Sequence, residues 1–104
     1  MATTPEGKVK NEIKKILKGY GVKVYWFMPA MGSFGKSGVP DFIICAGGFF
    51  LGVETKYDRV KNPPTELQVN NLQGIVGAGG VSMVVDKDNL DEFRECLEEL
   101  LREE

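Results

Sequence analysis

This chain contains no histidine. Ser-His-Asp and Cys-His nucleophiles are thereby excluded, as is every nuclease built on a histidine base, which leaves carboxylate, lysine, tyrosine and metal chemistry. Cysteine is almost as scarce. Cys45 and Cys96 stand far apart in apolar surroundings, outside any CxxC or Cys/His grouping, so both read as buried free thiols rather than a disulfide or a zinc site. No apolar run approaches the roughly twenty residues of a membrane span, and Met1 to Glu6 is too polar for a signal peptide. A cytoplasmic protein with no membrane partner is expected. Positive charge is in short supply too: the formal net charge is −2, which argues against the sequence-independent coat that basic proteins form on DNA. The charge is nevertheless polarised along the chain. Lys8, Lys10, Lys14, Lys15, Lys18, Lys23 and Lys36 lie in the first part, and Glu95, Glu98, Glu99, Glu103 and Glu104 in the last, so a basic face is compatible with the negative total.

The chain is 104 residues long, 42% hydrophobic and 27% charged, which suits one soluble domain, 1–104, on a single core. Thr4, Pro5 and Glu6 read as an N-cap, a first-position proline and a first-turn acid. Val9, Ile13, Ile16, Leu17 and Tyr20 recur at helical spacing until Gly19 and Gly21, so a helix is expected from Pro5 to Gly19. Its lysines face either solvent or phosphate. Val22 to Phe27 alternates and is rich in β-branched and aromatic residues, which predicts a strand ended by Pro29.

Met31 to Val39 follows, with Gly32, Gly35 and Gly38 beside Ser33, Lys36 and Ser37. It lacks the spacing of a phosphate-binding Walker A loop, and no nucleotide cofactor is expected. Two readings stay open: a plain connector, or a DNA-contacting loop in which Ser33, Lys36 and Ser37 reach phosphates. Asp41–Ala46 and Phe49–Lys56 are apolar runs separated by Gly47 Gly48, the signature of a two-residue hairpin. Thr65 caps a helix carrying Leu67, Val69, Leu72, Ile75 and Val76. Val81–Asp86 is continuously apolar and reads as a strand interior to the sheet. Asp88 then caps a last amphipathic helix. The order is helix, three strands, helix, strand, helix, an α/β arrangement.

The hairpin concentrates the chemistry. Counting outwards from the turn sets Asp41 opposite Glu54, and Lys56, two residues on, shares the face of Glu54. Two carboxylates about 4 Å apart repel by roughly 4 kcal/mol at an effective dielectric near 20. A bound cation relieves that cost, and oxygen-only ligands select Mg²⁺ or Mn²⁺, which act on phosphate. The plainer reading makes Asp41 a turn cap and leaves Glu54 and Lys56 to solvate a strand edge.

Gly38-Val39-Pro40-Asp41 followed by Glu54-Thr55-Lys56 resembles the PD-(D/E)xK nuclease signature. With Glu6 on the opening helix, and Gln68 in Thr65-Glu66-Leu67-Gln68, the chain resembles the VRR-NUC family in the minimal stand-alone form of phages and bacteria, over nearly its whole length. That resemblance implies a restriction-endonuclease-like αβββαβα core, a mixed sheet flanked by helices. It implies that Asp41 and Glu54 bind Mg²⁺ or Mn²⁺, that the Thr55 carbonyl completes the shell, and that Lys56 assists the attacking water. Glu6 would approach the metal from the first helix and Gln68 would line the site from the second. As a first-turn acid Glu6 also has a sufficient structural reason for its place, and Glu12 is the competing candidate. The implied activity is cleavage of structured or double-stranded DNA by a junction-resolvase-like homodimer. A nuclease-like module that binds DNA or protein without cutting is the alternative.

Overall fold

Helix α1 (Pro5–Tyr20) begins where its capping residues place it. Thr4 Oγ1 accepts from the Gly7 N–H at 2.9 Å, and Pro5 fills a position that needs no donor. Val9, Ile13, Ile16 and Leu17 form its buried face, and Gly21 ends it by donating to the Lys18 carbonyl. The structure, a computed structural model, describes residues 3–30 and 36–102. Ser33, one of the candidate phosphate contacts, lies outside them.

Strand β1 (Val24–Phe27) starts later than its alternation predicts, because Gly21–Lys23 form a 3-10 turn and Val22 is fully exposed. The chain must swing out of the helix before it can pair. Strands β2 (Phe42–Ala46) and β3 (Phe49–Thr55) form the expected hairpin, with Ala46 facing Phe49 and Phe42 facing Val53. Gly47 and Gly48 have φ of 60° and 84°, the left-handed pair that such a turn requires. Gly47 carries a second constraint, since a Cβ there would lie 1.9 Å from the Leu100 carbonyl oxygen, whereas nothing lies near one at Gly48. Gly47→Ala is therefore expected to destabilise the protein by about 2 kcal/mol or more and Gly48→Ala by about 1. Urea denaturation midpoints check this; equal losses would mean that the turn conformation alone matters.

Strand β4 (Val81–Val85) runs parallel to β3 after the crossover helix α2 (Glu66–Gly77), and α3 (Leu90–Leu101) closes the chain. Among the described residues the result is an α/β fold with a mixed four-stranded sheet, in the order β1-β2-β3-β4, and three α-helices. The order of elements is the one expected. The place of β4 is not: it is an edge strand, not an interior one. Its apolar run reflects cover on both faces, with Val81 and Met83 packed on the core and Ser82 Oγ donating to the Leu72 carbonyl of α2. Burial of both faces makes a strand look central even when one edge is open.

Val9, Ile13 and Leu17 of α1 and Phe93 and Leu97 of α3 pack with Phe42, Ile44, Ala46, Leu51 and Val53 to form the core on one face. Alternation sends Gly52 and Glu54 to the opposite face. Gly52 is there because α2 and the Pro40 turn press close; a Cβ would meet Ile75 Cδ1 at 2.6 Å and Pro40 Cγ at 3.1 Å. Among the described residues, helix α2 packs chiefly on β4 and β3 rather than on β1 and β2. Cys45, expected to be buried, is consequently exposed, paired with the exposed Tyr25 on that uncovered face, and Cys96 is only half-buried.

Asp88 does not cap α3 either. Asn89 occupies the N-cap position and turns its side chain back, accepting from Asp86 N–H at 2.7 Å and donating to the Val84 carbonyl at 2.8 Å. Asp88 instead pairs with Lys87. No helix among the described residues is long and apolar enough to cross a membrane.

Candidate active site

Asp41 precedes β2 by one residue and Glu54 is the penultimate residue of β3, so continuing the hairpin register from Phe42 and Val53 sets them opposite each other. Asp41 Oδ2 accepts from the Thr55 N–H at 2.9 Å, which fixes that carboxylate against the end of β3. Glu54 is 3% exposed, and its Oε1 is buried without a hydrogen-bond partner among the described residues. Burial, then the Asp41 charge and a hydrogen bond to the Asp41 carboxyl group, and then the Glu6 charge push Glu54 up to about 8, with Lys56 pulling the other way. At neutral pH Glu54 is thus held largely protonated, by its burial first and by the neighbouring Asp41 carboxyl group second.

No family model, no curated protein and no solved structure matches this chain.

Lys56 is 8% exposed, and its backbone N–H donates to the Val85 carbonyl at 3.0 Å, which ties it to β4. The loop after it is braced from below: buried Asp86 accepts from the Arg59 N–H at 2.8 Å and from the Asp88 N–H at 2.9 Å. Asp86 and Asn89 thereby determine where the chain turns once it leaves Lys56. Neither was singled out from the sequence, where a lone acid after an apolar strand carries no distinguishing signal.

Asp41 and Gln68 share a cavity of about 300 Å³ with Lys36, Ser37, Gly38 and Pro40. Two of the loop candidates, Lys36 and Ser37, thus line the same cavity as Asp41. Gln68 also has a second duty. It completes a capping box, its Oε1 accepting from the Thr65 N–H at 2.9 Å, which leaves the amide nitrogen as the group available to the cavity. A wider groove of about 620 Å³, lined by Phe50, Leu67, Ile75 and Lys36, has no carboxylate among the described residues of its wall; the smaller cavity has Asp41, but neither Glu54 nor Lys56 lines it.

The two glutamates of α1 are separated by the fold. Glu6 is close enough to Glu54 to raise its pKa, while Glu12 pairs with Lys15 at 3.3 Å in a surface cluster with Lys8, Lys14 and Lys18. Glu6 is not left free for an ion. Lys10, one turn later, lies 3.4 Å from Glu6 Oε2 and 3.7 Å from Asp41 Oδ1. The Glu6–Lys10 spacing of four residues was the available sequence signal for this lysine.

Among the described residues, no three Asp, Glu or Cys side chains converge closely enough to hold a metal by themselves. A Mg²⁺ or Mn²⁺ site does not need three, since these ions keep several waters beside one or two carboxylates. Asp41 and Glu54 fit that role. The partnerless Glu54 oxygen, buried beside Asp41, is the observation that favours an ion there. The Thr55 carbonyl is the adjacent backbone oxygen.

Proposed function

We propose that this protein is a VRR-NUC-like, Mg²⁺- or Mn²⁺-dependent endonuclease with a restriction-endonuclease-like core, hydrolysing phosphodiester bonds in structured or double-stranded DNA. The buried Glu54 carboxyl group, with one oxygen unpartnered beside Asp41 and with Lys56 two residues on, carries this reading. Asp41, Glu54 and the Thr55 carbonyl would hold the ion, which when bound polarises a phosphoryl oxygen and acidifies water. Lys56 would orient the attacking water and offset the charge that grows on phosphorus as one P–O bond forms and the ester P–O bond breaks. The Gln68 amide would donate to a phosphate or water in the cavity, and Lys36 and Ser37 would contact the flanking backbone. Glu6 would act from outside the ion's immediate shell, through its charge and through Lys10.

A homodimer gives each of two strands its own site, which a domain this small cannot do alone. The uncovered sheet face carrying Tyr25, Phe27, Cys45 and Phe50 is apolar and half-exposed or more, which suits a second copy of the chain. The second reading, a nuclease-like module that binds DNA or protein without cutting, draws on Lys10 lying against Asp41, where a cation already satisfies part of the acid charge.

Labelled duplex, flap and four-way DNA incubated with purified protein, with and without Mn²⁺, separates the two. Mn²⁺-dependent cleavage of at least one substrate is expected, by a species whose light-scattering mass is twice that of the chain. Tight DNA binding with no cleavage of any substrate would favour the binding module.

A further inference from the structure

Lys10 is the side chain that the candidate chemistry leaves unexplained. Its ammonium lies between Glu6 Oε2 at 3.4 Å and Asp41 Oδ1 at 3.7 Å, on a side chain that is 26% exposed. Both separations exceed the about 2.7–2.9 Å of a charge-assisted hydrogen bond. The ammonium is shared between two carboxylates and locked to neither. On the other side of Asp41, Oδ2 is committed to the Thr55 N–H at 2.9 Å. The oxygen that Lys10 faces is therefore the one that an incoming ion would use.

Resting on the metal-dependent reading above, we propose that Lys10 is a tethered counter-ion that occupies the acid cluster until a divalent ion displaces it from Asp41, and that it thereby sets the metal concentration at which the site loads. Three acids influence this site, Glu6, Asp41 and Glu54, and the first two are the ones that Lys10 reaches. Metal-free, the lysine offsets repulsion that would otherwise open the junction between the start of α1 and the hairpin. A divalent ion on Asp41 Oδ1 repels the ammonium, whose flexible stem has an alternative partner in Glu6, one turn away on the same helix. Displacement therefore costs one of its two ion pairs and leaves the other. Lys56 differs in kind. It pairs with no carboxylate within 4.0 Å among the described residues, and its backbone is held by its bond to the Val85 carbonyl just past the end of β3.

The test is a calorimetric Mn²⁺ titration without DNA, on chelator-stripped wild type, Lys10→Met, Lys10→Arg and Asp41→Asn, with melting curves of the same samples. Methionine keeps the stem and the helix propensity, so the fold is retained. Lys10→Met is expected to bind Mn²⁺ about tenfold more tightly than wild type, and Lys10→Arg within about twofold of it. Metal-free Lys10→Met is expected to melt below wild type, with the gap closing at saturating Mn²⁺. Equal or weaker Mn²⁺ binding by Lys10→Met, with Asp41→Asn alone losing the ion, would overturn the role of Lys10 and leave the metal reading standing. Absence of Mn²⁺ binding in both wild type and Lys10→Met would remove the metal reading, and this inference with it.

Discussion

Replacing Lys56 by methionine is expected to slow DNA cleavage by about a hundredfold or more, with the fold and Mn²⁺ binding retained. Methionine is chosen over alanine because Lys56 is 8% exposed, so alanine would also delete a buried aliphatic stem. The backbone bond from residue 56 to the Val85 carbonyl survives either change. What is lost is the ammonium. Its charge is also what pulls the Glu54 pKa down, so the variant carries a second signature, a Glu54 that titrates still higher in the metal-free protein. Single-turnover cleavage under saturating Mn²⁺ provides the first readout and carboxyl titration by NMR the second. Undiminished cleavage would take the lysine out of the mechanism; a slow variant that no longer binds Mn²⁺ would move its role to holding the site together.

Glu54 gives the largest expected effect on stability. Its carboxyl group titrates near 8 in the folded protein against 4.5 for an ordinary glutamate. Between those values the folded chain keeps a proton that the unfolded chain has released, so the contribution of Glu54 to metal-free stability is complete below about 4.5, falls as pH rises, and levels off above 8. Each pH unit inside the window costs up to about 1.4 kcal/mol. Glu54→Gln, which mimics the protonated form, is expected to flatten this dependence and to melt well above wild type at pH 9. The same proton competes with a metal. Mn²⁺ affinity of the wild type is expected to rise by up to about tenfold per pH unit until Glu54 is ionised and then to level off. Melting curves and Mn²⁺ titrations across pH 5 to 9 check both halves. A Glu54→Gln variant whose metal-free stability changes with pH just as the wild type's does would mean that Glu54 is not held protonated in the fold.

The raised Glu54 pKa revises what the sequence led one to expect of the pair. Two ionised carboxylates side by side would strain the metal-free protein, and removing either charge would then relieve it. Asp41 instead accepts from the Thr55 N–H and faces Lys10. Asp41→Asn thus surrenders favourable contacts, while Glu54→Gln surrenders almost none.

Much of the molecule follows from short-range rules. Thr4 and Pro5 start α1, Gly47 and Gly48 close the hairpin, and Thr65 with Gln68 caps α2, each through contacts between residues at most three positions apart. The hairpin then sets Asp41 opposite Glu54 by counting alone. For the same reason the order of helices and strands was readable along the chain. The errors share a cause as well. Cys45 was expected inside and β4 in the middle of the sheet because apolar neighbours report burial without saying which face or edge stays open. Asp88 was expected to cap α3, but Asn89 and Asp86 settle that junction through the end of β4.

What the sequence determined by itself is therefore the hairpin, which sets Asp41 opposite Glu54, since their relation depends on a two-residue turn and the period of a strand; Lys56 stands one residue beyond the end of β3. Tertiary structure alone decided which charges surround them. Glu6 rather than Glu12 lies near Glu54, Lys10 rather than any other lysine meets Asp41, and Lys36, Ser37 and Gln68 border the same cavity. These residues come from two helices and a loop, and their proximity depends on how α1 and α2 dock on opposite faces of one sheet. Charge interactions act through space, so local periodicity does not encode them.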